Sequence, residues 1–532
     1  KLETIVTILL RHFSIFCLLT IFFSGPIVAK IYPLEEWAKR ADIRNVVLSP
    51  DAEKMALLRI KGNEGMPILE VYDASDLSKR PFRMDAKPME ITSFRWISDD
   101  KIFFSARQQV RNKIDGFNRG VYEYNSGILT LDKNPKKSSW KKLNSLGGGI
   151  ISNLPMYPNN IIVAGYPKNS RGNVESRSRI YYNYNIKTGN KRVITRESEN
   201  RGSVRFDENG KPMFAYGYDG ATNSGLIYYR APDSVDWDII KRQSVSDFET
   251  WFPISRDPDN RDYILVIAHN GNDKAGLWSF DPQAKKFKEL IYRRSDVDVI
   301  GTVSHTNRYT NDQEITGIYY YDGRDEKYEW LNAEEQAIYE QLKALIPYSD
   351  RISYSRSKDG TSMIIVNEGP RDPGTYYLLK DGALKVIGST KPGLSSKNLA
   401  DVEAITYEAR DGKKIRGFIT IPNSEPPYPL VVMPHGGPFV GENPDFDEWA
   451  QMLANRGFMV LQPQYRGSRY FGLDFYKSAF VNGGQGGYKM QDDKDDGALY
   501  LVDKGLVDPD KMLMFGWSYG GYAALIASAR TP

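Results

Sequence analysis

The chain has 532 residues, of which 41% are hydrophobic and 12% aromatic, and its 34 tyrosines suit β-structure. This length exceeds what a single hydrophobic core supports, so we predict two or more domains. The 71 basic and 67 acidic residues leave a formal net charge of +4. Because no basic run is interleaved with aromatic residues, the sequence predicts no nucleic-acid partner. With one cysteine, Cys17, and neither zinc-ligand spacing nor a phosphate-binding glycine loop, it also predicts no disulfide, metal or cofactor.

Residues 1–29 have the layout of an export signal. Arg11 and His12 precede a short apolar run, which ends in helix breakers and the small residue Ala29. This pattern predicts a signal peptide cleaved after Ala29, a periplasmic or secreted protein, and no membrane contact once the signal is removed. An uncleaved N-terminal segment that anchors the chain in the membrane is the first alternative, and a buried core helix is the second.

Residues 30–395 contain short β segments that repeat about every fifty residues. Each repeat includes a strand rich in tyrosine or other apolar residues. The seven strands are Leu69–Asp73, Val121–Asn125, Ile180–Asn185, Ile227–Arg230, Leu277–Asp281, Ile318–Asp322 and Tyr376–Leu379. A repeat of this length is typical of a four-stranded propeller blade, so we predict a seven-bladed β-propeller. A large β-sandwich or two smaller β domains are the alternatives.

One helix interrupts the β-repeats, and the pattern changes after them. Residues 332–346 have apolar positions near a 3.6-residue period, with Asn332 as a cap, and predict a helix that only packs. A stretch rich in glycine and serine at 393–399 then marks a domain boundary. From residue 396 to 532 strands and helices alternate, which predicts a mostly parallel sheet with helices on both faces.

The motif Gly516-Trp-Ser518-Tyr-Gly520 lies between an apolar strand, Met512–Phe515, and an alanine-rich helical pattern. This is the context of the nucleophile elbow in α/β-hydrolases, a strained turn that presents a serine hydroxyl. Ser518 is therefore the candidate nucleophile. We expect glycine on both sides because side chains there would collide where the strand and the helix meet.

A second motif, His435-Gly436-Gly437-Pro438, follows an apolar strand directly. In this fold the loop after the third strand contributes a backbone N–H to the oxyanion hole. We assign one donor to Gly437, with Gly436 as the alternative, and the other to the N–H of Tyr519. For His435 we favour a residue that fixes the loop over a general base.

A nucleophilic serine needs a histidine as its base and an acid that orients the histidine. In α/β-hydrolases the acid and the histidine follow the serine in the chain. The four histidines are His12, His269, His305 and His435, all before Ser518. We therefore expect that the hydrolase domain is incomplete at Pro532, that the triad Asp and His lie beyond it, and that residues 1–532 alone are inactive.

Arg466 lies in the motif Gln464-Tyr-Arg-Gly-Ser468. It could bind a substrate carboxylate, but we favour an ion pair with the acidic stretch 492–496. That stretch is interpreted as acidic residues in a helix first turn, stabilised by the helix dipole. Metal binding there is the weaker alternative.

Together the motifs HGGP (435–438), QYRGS (464–468) and GWSYGG (516–521) resemble those of the prolyl oligopeptidase family of serine peptidases. The similarity is to its acylaminoacyl-peptidase and dipeptidyl-peptidase-like branch. It implies a propeller that caps the active site, short peptide substrates, and acyl transfer through Ser518. An esterase of the same fold and a propeller binding protein with a degenerate hydrolase half are the alternatives. Cleavage specificity and oligomeric state are not determined by these motifs.

Overall fold

A computed structural model describes residues 30–60, 62, 65–111, 121–143, 149–167, 176, 178–244, 246–480 and 488–530. The predicted signal peptide, including Cys17 and His12, lies outside these residues. Among the described helices, none is both long and apolar enough to cross a membrane.

Seven antiparallel sheets form the blades of a β-propeller, which confirms the prediction from the repeats. Blade 1 comprises β1 Ile43–Leu48, β2 Lys54–Arg59, β3 Ile68–Asp73 and β4 Phe82–Met84. Blade 2 comprises β5 Glu90–Trp96, β6 Lys101–Arg111, β7 Val121–Thr130 and β8 Ser139–Lys142. Blade 3 comprises β9 Ile150–Ser152, β10 Asn160–Gly165, β11 Ile180–Asn185 and β12 Lys191–Arg196. Blades 4 and 5 comprise β13 Gly202–Phe206, β14 Pro212–Asp219, β15 Ser224–Tyr229 and β16 Asp238–Ser244; and β17 Trp251–Arg256, β18 Ile264–Ala268, β19 Gly276–Asp281 and β20 Lys286–Tyr292. Blades 6 and 7 comprise β21 Gly301–Ser304, β22 Ile315–Asp322 and β23 Asp325–Trp330; and β24 Arg351–Arg356, β25 Met363–Gly369, β26 Asp372–Lys380 and β27 Ala383–Ser389.

The tyrosine-rich strands occupy equivalent places in most blades. Six of them are the third strand of a four-stranded sheet, and the one in blade 6 is the second strand of a three-stranded sheet. The helix that follows blade 6, α2 (Ala333–Leu345), begins as predicted, because the Asn332 side chain accepts hydrogen bonds from the Glu334 and Glu335 amides. Its buried face packs between blades 6 and 7 through Tyr339 and Leu342. The helix therefore has the packing role that its pattern predicts.

Every described blade strand pairs only within its own blade, so side chains close the ring between blades 7 and 1. Ile43 and Leu57 of blade 1 pack with Ile364 and Leu378 of blade 7 in one buried cluster. Few hydrogen bonds join these blades, among them one from the Asp42 amide to the Thr390 carbonyl at 2.8 Å. Closure of the ring thus depends mainly on apolar packing.

The hydrolase part contains one five-stranded sheet in the order β28-β29-β31-β30-β32. The strands are β28 Asp401–Glu408, β29 Lys414–Ile421, β30 Tyr428–Val432, β31 Met459–Gln464 and β32 Val507–Met514, and the helices are α3 Glu448–Ala454, α4 Leu473–Lys477, α5 Tyr488–Asp503 and α6 Tyr519–Arg530. Two of the four strand pairs are parallel, β30 with β31 and with β32. The prediction of a mostly parallel sheet is therefore correct only for its C-terminal half, because β28 and β29 form a hairpin and β29 pairs antiparallel with β31.

A short helix before the propeller, α1 (Leu34–Ala38), contacts the hydrolase part. Tyr32 and Trp37 are buried with Leu394 and Leu399, and the Tyr32 amide donates to the Asn455 side chain at 2.8 Å. This contact joins positions more than four hundred residues apart, and the sequence offered no signal for it.

We predict that Leu57→Ala lowers the free energy of unfolding by about 2–5 kcal/mol, because Leu57 is fully buried where the ring closes. Chemical denaturation followed by tryptophan fluorescence measures the change. The control is Leu384→Ala on the outer strand β27, where the side chain is exposed and a change within about 0.5 kcal/mol is expected. Equal losses in the two variants would contradict closure by apolar packing.

Candidate active site

Ser518 occupies the turn between β32 and α6. Its backbone φ is +55°, in the left-handed region that a residue with a side chain rarely adopts, at a cost of about 1–3 kcal/mol. Its side chain is exposed, and its carbonyl accepts the Tyr522 amide at 3.0 Å as the helix begins. The strained turn and the exposed hydroxyl are the geometry that the elbow motif predicts.

The two glycines beside Ser518 allow the close approach of the backbone segments. A Cβ on Gly516 would lie 2.6 Å from the carbonyl carbon of Gly520. A Cβ on Gly520 would lie 2.2 Å from the carbonyl oxygen of Pro434, in the loop after β30. Neither distance accommodates a side chain, so the predicted steric role of both glycines is confirmed.

The loop that contains His435, Gly436 and Gly437 lies against Ser518. A Cβ on Gly436 would be 3.3 Å from the Ser518 Cβ and 3.8 Å from its Oγ. Gly437 has a φ of +118°, and a Cβ there would approach Val440 at 3.0 Å. The structure thus brings Gly436 directly to Ser518, whereas the assignment of an oxyanion donor to Gly437 stays a prediction.

Tyr519 is the first residue of α6, so its N–H belongs to the helix end whose amides have no partner within the helix. The partial positive charge of that end favours a developing negative charge nearby. The Tyr519 amide is therefore placed on the right element for the predicted role, which likewise stays a prediction.

His435 is buried, and the protein engages both of its ring nitrogens. Nδ1 lies 2.8 Å from the Gly436 carbonyl oxygen and 3.0 Å from the Tyr465 hydroxyl, while Nε2 lies 2.9 Å from the Ser468 hydroxyl. The imidazole also stacks on the Tyr465 ring, with 4.3 Å between centroids. Burial lowers the pKa of His435 to about 4. These contacts match the favoured interpretation, a residue that fixes the loop.

The other histidines do not supply a base in the described part of the chain. His269 and His305 lie in the propeller, where their Nδ1 atoms accept the Thr250 and Asn307 amides. None of the described contacts of His269, His305 or His435 is with Ser518.

Arg466 makes the ion pair that we favoured. Its guanidinium contacts Asp493 at 2.6 Å and Asp411 at 2.9 Å, and its own amide donates to Asp493. Because Arg466 and Asp493 are both buried, this pair joins the loop after β31 to helix α5. Arg466 is thus occupied within the protein and is not free to bind a substrate carboxylate.

The helix-dipole explanation for the acidic stretch is wrong. Helix α5 begins at Tyr488, before the acidic stretch, so its first turn holds no acidic residue. Asp492, Asp493 and Asp496 instead face basic side chains. Their partners are Arg530 and Arg410 for Asp492, Arg466 for Asp493 and Arg410 for Asp496.

Lys494, in the same helix, lies fully buried beneath the elbow, and the sequence interpretation missed it. Its Nζ donates to the Met490 carbonyl at 2.7 Å. The ammonium lies 4.0 Å from the centroid of the Tyr465 ring and 5.1 Å from that of Tyr519. It therefore contacts both Tyr519, which follows Ser518, and the Tyr465 ring, which stacks on His435. The helical spacing of Lys494 with the apolar residues Met490, Ala498 and Leu501 was the signal for its burial.

Comparison with known proteins agrees with this geometry. Residues 444–532 match the prolyl oligopeptidase family. The chain is 30% identical over 275 residues to dipeptidyl aminopeptidase BIII of Pseudoxanthomonas mexicana. This alignment covers 49% of this chain and 38% of that protein. It is 25% identical over 389 residues to dipeptidyl peptidase family member 6 of Caenorhabditis elegans, covering 66% and 50%. The chain thus spans about half or less of the length of these curated relatives.

The overall fold has solved counterparts. Prolyl oligopeptidase B from Galerina marginata, bound to a 35mer substrate, superimposes with a TM-score of 0.62 at 14% identity, over 94% of this chain and 72% of that one. A puromycin-hydrolysing peptidase of Mycobacterium tuberculosis gives a TM-score of 0.58 at 14% identity, over 93% and 77%. At these identities the likeness shows the fold alone.

The fold and the turn at Ser518 define a propeller protein with an α/β-hydrolase part. The family that residues 444–532 match is the one that the sequence motifs resemble.

We predict that Lys494→Met stabilises the protein by about 1–4 kcal/mol at pH 6, because it replaces a buried charge with an apolar side chain of similar size. Burial lowers the pKa of Lys494 from 10.5 to about 7. The Lys494 side chain therefore binds its proton more tightly in the unfolded chain than in the folded protein. The cost of burying the ammonium is fully present below about pH 7 and declines as the pH rises toward 10.5.

Denaturant midpoints at pH 6 and pH 9 measure this difference, which is expected to shrink at the higher pH. Lys504→Met is the control, since Lys504 is exposed just after α5 and its substitution is expected to have the same small effect at both pH values. A Lys494→Met variant less stable than the parent at pH 6 would show that the contacts with the two tyrosine rings outweigh the cost of burial.

Proposed function

We propose that the protein is a serine peptidase that hydrolyses short peptides through an acyl-enzyme on Ser518. The observation that carries this proposal is the position of Ser518, held at positive φ between β32 and α6 with the backbone of Gly436 against it. The names of the relatives, dipeptidyl aminopeptidase and dipeptidyl peptidase, support peptides as the substrate class.

In the proposed reaction the Ser518 Oγ attacks the carbonyl carbon of the peptide bond. The oxyanion that forms accepts hydrogen bonds from the Tyr519 N–H and from the N–H of Gly437, with Gly436 as the alternative. Each such donor contributes about 3 kcal/mol to the stability of the transition state. Collapse of the tetrahedral intermediate releases the amine product, and water then hydrolyses the acyl-enzyme.

A histidine and a carboxylate are still required to take the proton from Ser518. We propose that they follow Ser518 in the complete protein, in the order acid and then histidine. An exposed apolar surface beside the elbow supports further structure there. Its residues are Met512, Leu513, Phe515, Trp517, Tyr522 and Leu525, of which Leu525 is 74% exposed. Residues 1–532 alone are accordingly proposed to be inactive.

The propeller is proposed to admit only short peptides to Ser518. Its loops contact residues 471–473 of the hydrolase part. The Leu473 amide donates to the Asp273 carbonyl at 2.8 Å, and Lys274 Nζ donates to the Phe471 carbonyl at 2.7 Å. These contacts join blade 5 to the hydrolase part, which supports the proposed gating.

Export is proposed on the sequence pattern of residues 1–29 alone. That pattern favours a periplasmic or secreted protein, with an uncleaved membrane anchor as the alternative.

In the complete protein, we expect a fluorophosphonate probe to label Ser518 and the Ser518→Ala substitution to abolish labelling. Peptide hydrolysis is expected to fall by about 10³-fold or more, because the nucleophile is removed. The matched control is Ser528→Ala on the same helix, where the exposed hydroxyl bonds only to the Leu525 carbonyl among the described contacts. An unlabelled Ser518 in a folded complete protein would overturn the peptidase proposal, and cleavage of esters but not peptides would favour an esterase.

A further inference from the structure

A cavity of about 260 Å³ lies between the propeller and the hydrolase part. Propeller blades 5 and 6 and residues 469–476 of the hydrolase part line it. Aromatic rings form much of its wall, from Phe248, Phe252, Tyr470 and Tyr476. Its polar groups include His269 and Asp298.

His269 lines this cavity, and one of its ring nitrogens has no hydrogen-bond partner among the described residues. The residue is only 4% exposed, and its Nδ1 accepts the Thr250 amide at 2.8 Å. Because Nδ1 is an acceptor, the proton of the neutral ring is on Nε2. Nε2 is buried and has no hydrogen-bond partner among the described residues. A buried donor without a partner is costly, so this atom is suited to a group that enters the cavity.

Asp298 supplies acceptors beside that donor. Its Oδ1 lies 3.8 Å from His269 Nε2, too far for a direct hydrogen bond. The carboxylate already accepts the Ala275 amide at 2.9 Å and the Gly472 amide at 3.1 Å. Each carboxylate oxygen has a second lone-pair site, so Asp298 retains the capacity to accept from a ligand.

The cavity adjoins the loop that contains Gly436 and Gly437. Arg469, which lines the cavity, donates from its amide to the Val440 carbonyl and from its side chain to the Phe439 carbonyl, both at 2.9 Å. The loop residue that touches Ser518 is Gly436, and the chain from Gly436 to Val440 extends at most about 14 Å. A peptide of about four residues covers the same distance.

We propose that this cavity is a subsite for a peptide side chain that ends in a hydroxyl or a primary amide. The oxygen of that group accepts the His269 Nε2–H, and its O–H or N–H donates to Asp298. An ammonium would meet the Nε2–H donor and a carboxylate would meet Asp298, so a neutral group with both a donor and an acceptor fits best. The inference rests on the proposed peptidase function for the nature of the ligand.

Matched peptides test the proposal in the complete protein that carries Ser518→Ala, which binds without turnover. The pairs Phe/Tyr, Val/Thr and Met/Gln are compared at each position of tetrapeptides by isothermal titration calorimetry. At one position the Tyr, Thr or Gln peptide is expected to bind about ten- to a hundredfold more tightly than its partner. Equal affinities at every position would mean that the cavity holds water only, and would overturn the proposal.

Substitutions at His269 identify the donor. His269→Phe is expected to reduce the preference to within about twofold, and His269→Gln, which retains an N–H donor, is expected to restore part of it. The control is His305→Gln, on the other propeller histidine, which does not line this cavity and is expected to keep the preference. A preference that survives His269→Phe would overturn the assignment, and a loss of folding in that variant leaves His269→Gln and the peptide pairs as the deciding measurements.

These measurements are independent of catalysis. Failure of Ser518 to react with a fluorophosphonate would overturn the peptidase function without changing the peptide affinities. Failure of the peptide preference would overturn the subsite and leave the reactivity of Ser518 unchanged.

Discussion

The close approach of helix α6 to the loop after β30 is the contact on which the candidate site depends. The two backbones come so near that Gly520 has no room for a Cβ beside the Pro434 carbonyl. This packing places the helix N-terminus, the serine turn and the Gly436 backbone around one small volume. The strain at Ser518 is tolerated because the strand before it and the helix after it are both held by the sheet.

Beneath that contact lies a cluster of buried charged residues, which positions the neighbouring segments at a cost in stability. Arg466 and Asp493 hold helix α5 to the loop after β31, and Lys494 sits between the rings of Tyr465 and Tyr519. Burying charges costs free energy even when they are paired. The cluster fixes the geometry of the site, because the same few side chains connect the residue after Ser518 to the ring that stacks on His435.

The contact between the two domains differs in composition from the closure of the propeller ring. The propeller ring is closed by apolar side chains, whereas its contact with the hydrolase part combines aromatic packing with hydrogen bonds that involve Lys274 and Asp298. The cavity containing His269 lies within that contact, so a ligand bound there would contact both domains.

Much of the architecture could be predicted from the sequence, because it follows from local patterns. The recurring tyrosine-rich strands, the Asn332 cap and the glycines around Ser518 each act within a few residues, where periodicity and backbone conformation decide the outcome. These features predicted the seven blades, helix α2 and the elbow. The HGGP motif likewise located the loop that contacts Ser518.

Only the tertiary structure decided the contacts between residues far apart in the chain. The burial of Lys494, the pairing of Arg466 with Asp493 rather than with any other residue of the acidic stretch, and the docking of Tyr32 on Asn455 depend on how distant segments pack. The same holds for His269 and Asp298, which come from adjacent blades and face Tyr470 only after the domains meet. Sequence patterns describe the faces of single helices and strands, and the energy of a buried polar group is set by partners that such patterns do not contain.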